Sequence, residues 1–185
     1  MWNSGIISSR HRGDAEYLLN LNAVNQDWID SNLVDNGAST SGVLFEFGCV
    51  IDVDSITNLS NRNVIIGRPP ESGASQRFYI SVETNGSLRF LTRASSSTEL
   101  QNFINDYSGI VEIKGRYKTD NSQELLVNNI VVATNNSSRP NTSNASFWIG
   151  GFNFANNSFP TTGNFFNGNI YSFFVNDNFW DCNEG

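Results

Sequence analysis

Apolar residues in this chain recur at every second position over short runs, the spacing of strands with one buried face and not of helices. Val43, Phe45, Phe47, Cys49, Ile51 and Val53 share one parity, with Glu46, Asp52 and Asp54 on the other. That alternation turns the first set toward a core. The same pattern returns in Ile110-Val111-Glu112-Ile113-Lys114-Gly115-Arg116-Tyr117. Val64-Ile65-Ile66-Gly67-Arg68 predicts another strand, stopped by Pro69-Pro70, because proline cannot donate to a ladder.

Turn residues punctuate these runs. Asn85-Gly86 separates Phe78-Tyr79-Ile80-Ser81-Val82 from Leu88-Arg89-Phe90-Leu91-Thr92 and predicts a hairpin closed by a type I′ turn. Residues 118–123 form a polar turn into a strand from Glu124. Asn128-Asn129 makes a tight reversal into Ile130-Val131-Val132-Ala133. Two short strands with a turn near Asn25 are expected in 15–30, and the start of a short helix with a Ser or Thr cap in 95–107. Residues 134–145 and 153–164 read as loops around a strand at 146–151, and 165–177 closes the pattern. About a dozen strands without a βαβ unit predict an all-β fold, a two-sheet antiparallel β-sandwich or jelly roll.

Composition agrees. The 185 residues suit one domain, and 28 Asn, 23 Ser and 15 Gly disfavour helices, while 14 Phe can fill a core. A net charge of −7 with scattered basic residues argues against a nucleic-acid partner. No run approaches the roughly 18 apolar residues of a membrane span, so no membrane insertion is expected, and no signal peptide is read at Met1-Trp2-Asn3-Ser4-Gly5. Cys49 and Cys182 fit no metal spacing. They read as two free thiols, with a disulfide between them as the alternative.

The order of these pieces resembles the concanavalin A-like family, in its laminin-G-like branch. Its middle stands as Ile110 to Tyr117 followed by Leu125-Leu126-Val127-Asn128-Asn129, and its ending as Trp148-Ile149-Gly150-Gly151 and Phe166-Asn167-Gly168-Asn169-Ile170-Tyr171-Ser172-Phe173. The resemblance covers 15–177 and implies a jelly-roll domain there, with 1–14 as an N-terminal arm and 178–185 as a C-terminal extension. That tail is similar to the segment following such domains in proteins of phages and Bacteroidetes-type bacteria.

The resemblance admits several chemistries, which the residues narrow. Glucanases of this fold carry Glu-x-Asp-x-x-Glu, absent here; Asp52-Val53-Asp54 has the spacing without the flanking Glu and reads as solvated charge. Lyases of the fold use His and Tyr, and the only histidine, His11, precedes the first strand. No catalytic residue is assigned. Calcium is common at the rim of such sandwiches, but where a ligand Asp is expected this chain has Gln76-Arg77. Asp120 and Asn121 read as turn residues, and no cofactor is assigned. Seven Asn-x-Ser matches carry no information, since 28 Asn with 33 Ser plus Thr produce about five by chance.

A binding surface remains. The loops flanking the Trp148 strand offer amides, hydroxyls and rings suited to sugars, with Asn153, Phe154, Asn156 and Phe159 as the ligand contacts and Trp148 as core. The expected function is a non-catalytic, lectin-like module that binds a glycan or host cell-surface receptor, on a virion surface or as a secreted extracellular adhesin. The alternative is a structural virion or assembly module packed against other virion proteins. A homo-oligomer is compatible with either.

Overall fold

The computed structural model describes residues 19–32, 40–56, 59, 62–70, 76–94, 97–136, 139–140, 146–154, 160 and 164–182. Thirteen strands form two antiparallel sheets, and no α-helix occurs among the described residues. The back sheet contains β1 (Leu19–Leu21), β3 (Phe45–Asp52), β8 (Ile110–Tyr117), β9 (Ser122–Val127), β10 (Ile130–Asn136), β12 (Gly168–Val175) and β13 (Asn178–Asp181), ordered β1-β12-β3-β8-β9-β10. The front sheet contains β2 (Ile29–Asp30), β4 (Asn63–Arg68), β5 (Arg77–Val82), β6 (Ser87–Arg93), β7 (Ser97–Phe103) and β11 (Trp148–Ile149), ordered β2-β11-β4-β5-β6-β7. This is the expected sandwich.

Strand β12 organises the back sheet. One edge pairs with β3; the other carries β1 on Gly168 to Ile170 and β13 on Ser172 to Val175, end to end. Residues 178–181, expected in the C-terminal extension, are therefore hydrogen-bonded into the sheet. The arm expected at 1–14 lies outside the described residues.

The period-2 pattern sorts side chains as expected. Phe45, Phe47, Cys49 and Ile51 of β3, with Ile113 and Tyr117 of β8, meet Phe78, Ile80 and Val82 of β5 and Leu88 and Phe90 of β6 in one buried cluster. Rings dominate it: Phe47 lies 4.9 Å from Phe78 and 5.4 Å from Phe90 between centroids. Gly115 is needed because a Cβ there would come within 2.8 Å of the Phe47 ring.

Three expectations are corrected. Residues 97–103 form strand β7, not the start of a helix, since β6 offers a seven-residue ladder that local capping cannot match; only a 3-10 turn follows at Ile104–Asp106. The Asn85-Gly86 turn is not type I′, because of the two only Gly86 has positive φ (79°). Glu83 O accepts from Gly86 N, and Glu83 N donates to Ser87 O, which makes a type I turn closed by a glycine bulge. The two-residue type I′ geometry appears instead at Asn128-Asn129, with φ of 50° and 63°. Finally, the strand expected over 146–151 is reduced to Trp148–Ile149.

Candidate functional site

The outward face of the front sheet is built by the residues that alternate with the core set. On β5 these are Arg77, Tyr79 and Ser81; on β6 they are Arg89, Leu91 and Arg93. The loop after β11 crosses this face. Gly150, at φ 78°, turns the chain back over the sheet, and Phe152 packs with Val64, Tyr79 and Leu91 in a second small cluster outside the main core. Trp148 is buried as expected, but on this outer side, where its ring lies 4.7 Å from that of Trp28.

Phe154 stands at the centre of the face. Its half-buried ring lies 5.4 Å from Tyr79, with the Arg62 guanidinium 5.0 Å and the Arg77 guanidinium 5.1 Å from its centroid. Arg77 Nη1 also donates to the Phe154 carbonyl at 3.0 Å. Arg62 Nε donates to Glu83 at 2.8 Å, and Arg62 Nη1 to the Tyr79 hydroxyl at 3.3 Å. Glu83 also accepts from Ser81 Oγ at 2.6 Å and lies 3.4 Å from Arg89, which pairs with Glu99. The result is a ladder of alternating charge, Arg62, Glu83, Arg89, Glu99.

Electrostatics differ between the outer faces of the two sheets. Among the described residues four guanidinium groups meet two carboxylates on the front sheet, and burial followed by the charge of Arg93, with those of Arg62 and Arg89, pushes Arg77 below the ordinary arginine range. On the back sheet the outer charges are matched: Arg116 pairs with both Glu46 and Glu124, and Lys114 lies by Glu112 and over the Phe174 ring.

Of the four residues expected to contact a ligand, Phe154 lies on this face. Asn153 is buried at 6% exposure and engaged within the protein. Asn156 and Phe159 lie outside the described residues. Asp52 caps its own turn by accepting from Asp54 N, and Asp54 accepts from Gly109 N, a structural use of that pair. Asp120 accepts from Ser122 N and Oγ, which hold its carboxyl below the usual range, and Asn121 takes φ 66°; both serve the turn. No group of three His, Cys, Asp or Glu positioned for a metal occurs among the described residues, and no described helix is long and apolar enough to cross a membrane. Arg62, Tyr79, Glu83, Arg89, Arg93 and Glu99 were not legible as a site in the sequence; the alternation of Arg77-Phe78-Tyr79-Ile80 was the available signal.

No family model matches the chain, and no curated protein matches it in sequence. Solved structures match in fold. Domains LG4-5 of the mouse laminin alpha1 chain align with a TM-score of 0.57 at 12% identity over 82% of this chain and 40% of that one. The CBM40 module of the Ruminococcus gnavus IT-sialidase, bound to alpha2,3 sialyllactose, aligns at 0.56 and 11% identity over 76% of this chain and 79% of the module. Tailspike protein 2 of an Escherichia coli O157:H7 bacteriophage aligns at 0.60 and 13% identity over 86% of this chain and 22% of the tailspike. The chain thus spans less than half of the laminin structure and under a quarter of the tailspike. The fold is the concanavalin A-like jelly-roll β-sandwich.

Proposed function

We propose that the protein is a non-catalytic glycan-recognition module that uses the outer face of the front sheet, working at a virion or extracellular surface on host glycans. The observation that carries this reading is the Phe154 ring set edge-on to Tyr79 with the Arg62 and Arg77 guanidinium groups beside it. An apolar ring face beside a dense row of fixed donors and acceptors suits a pyranose, whose C–H face stacks while its hydroxyls bond to Arg and Glu. The carbohydrate-binding module holding sialyllactose and the phage tailspike, both of like fold, support it. The absence of catalysis is supported by the state of Glu83 and Glu99, each held by arginine rather than facing a partner carboxylate across an open gap.

The test is a glycan array followed by titration calorimetry on the full chain. Binding in the micromolar-to-millimolar range is expected, weakened at least tenfold by Phe154→Ala with the unfolding transition still cooperative. Absence of binding to every glycan on the array overturns the reading. A stoichiometric complex with a fibre or capsid protein, in the same absence, establishes an assembly module instead.

A further inference from the structure

Arg77 and Arg93 are register partners on β5 and β6 and leave the sheet on the same face. Like charges directly opposite each other on neighbouring strands are destabilising. The chain has 18 acidic residues against 11 basic ones, so carboxylates are not scarce. Those described on this face are nonetheless committed elsewhere: Glu83 lies between Arg62 and Arg89, and Glu99, opposite Leu91, pairs with Arg89 and accepts from Gln101. The Arg93 side chain makes no hydrogen bond or ion pair with any described residue. Arg77 is braced on the Phe154 ring and carbonyl. Among the described residues, this end of the face therefore concentrates positive charge.

We propose that this end takes the single anionic group of a glycan, a carboxylate or sulfate ester on a terminal sugar, between Arg77 and Arg93, while neutral sugar units lie over Phe154 and along the Glu83–Arg89–Glu99 row. The inference rests on the front-sheet face being the glycan site. Guanidinium groups bind such oxyanions through paired N–H donors, and the Phe154 carbonyl already fixes Arg77 in place. The same row sets a limit on charge. A chain with an anion on every unit, whether a polysulfated glycan or a nucleic acid, brings negative groups onto Glu83 and Glu99, which disfavours it.

The test titrates the full chain with ligands on a common lactose core: lactose, its sialylated, glucuronylated and sulfated forms, and the methyl ester of the sialylated form, with heparin as the polyanion. A terminal anion is expected to tighten binding at least tenfold over lactose, esterification to abolish that gain, and heparin to bind no better than lactose. The separate sialyl, glucuronyl and sulfate arms decide which anion is preferred. Arg93→Gln is expected to narrow the gap between anionic and neutral ligands while raising the melting temperature, because it removes a like-charge contact; a structural role for Arg93 lowers that temperature instead. Equal binding of acid and ester, tighter binding of heparin, or a destabilised Arg93→Gln overturns the inference. Phe154-dependent binding of lactose without any anion preference overturns it and leaves the recognition reading intact, whereas no binding of any glycan removes both.

Discussion

The hydroxyl groups of Tyr117 and Thr92 lie 2.7 Å apart, a hydrogen bond that joins the two sheets inside the sandwich, with both residues fully buried. Removing either partner leaves the other buried without its bond. Tyr117→Phe and Thr92→Val are each expected to cost about 1–2 kcal/mol, and the double variant clearly less than the sum. Urea unfolding of the four proteins measures the coupling; strictly additive losses would show that the two hydroxyls do not support each other.

Alkaline pH should weaken the fold. Burial raises the Tyr117 phenol and, with smaller contributions from Cys182 and Glu112, the Cys49 thiol, so both stay neutral in the folded chain while the unfolded chain ionises near 9.0 for the thiol and 10.0 for the phenol. A raised pKa contributes stability that is complete below the unfolded value and is lost as pH climbs through the folded one. The urea midpoint is expected to fall steadily above about pH 9, with Tyr117 ionising only as the protein unfolds. A midpoint flat through this range would contradict the burial of both groups.

Gly67 is fixed by close approach. A Cβ there would lie 2.4 Å from Tyr79 Cβ and 2.7 Å from the Phe78 carbonyl, both held by the β4–β5 ladder. Gly67→Ala is expected to destabilise by about 1–3 kcal/mol and to displace Tyr79 from its contact with Phe154, which a change in tyrosine fluorescence would report. Unchanged stability and fluorescence would mean that the strand yields without moving Tyr79.

The sandwich, most of its strands and the inward set of β3 and β8 were legible because period-2 alternation survives wherever one face of a strand is buried. The arginine face was not, and the reason lies in one turn. Closing the β5–β6 hairpin with a two-residue Asn85-Gly86 turn would pair Arg77 with Ala94 and put Arg93 opposite Phe78, on the inward side. The observed three-residue turn with its Gly86 bulge pairs Arg77 with Arg93 and turns both outward. A single residue of loop length thus decides whether the basic residues look scattered or clustered. Strand β7 was missed for a related reason, because a Ser- and Thr-rich start suits a helix cap as well as an edge strand.

Gln123 sits at 0% exposure on the inward side of β9, and neither its amide nitrogen nor its amide oxygen has a hydrogen-bond partner. A buried amide in that state costs about 1–3 kcal/mol. Gln123→Met keeps the volume and removes the polar atoms, so it is expected to stabilise the protein by about 1 kcal/mol in denaturant unfolding. A loss of stability would show that the amide is bonded in solution.

Neither Cys49 nor Cys182 forms a disulfide, as expected from their spacing. Cys49 lies opposite Phe173 on one edge of β12, and Cys182 follows β13 on the other edge, its amide bonded to Tyr171 O. Two strand spacings separate their Cα atoms by roughly 9–10 Å, beyond the roughly 7 Å that a disulfide spans. Alkylation of the native protein should add one tag, at Cys182, and a second at Cys49 only after denaturation. Two native tags, or none, would contradict this placement.

Because β1 and β13 share one edge of β12, the described chain enters beside Ile170, opposite Leu19, and leaves beside Tyr171, at Cys182. Entry and exit are neighbours on a single strand. Residues 19 and 182 lie end to end along β12, so tension applied through them acts first at that junction and strips β1 toward Gly168 and β13 toward Val175, one hydrogen bond at a time, in the manner of a zipper. That path touches only the back sheet, so a load borne by these two residues strips the edge strands while the front sheet and its arginine face keep their geometry.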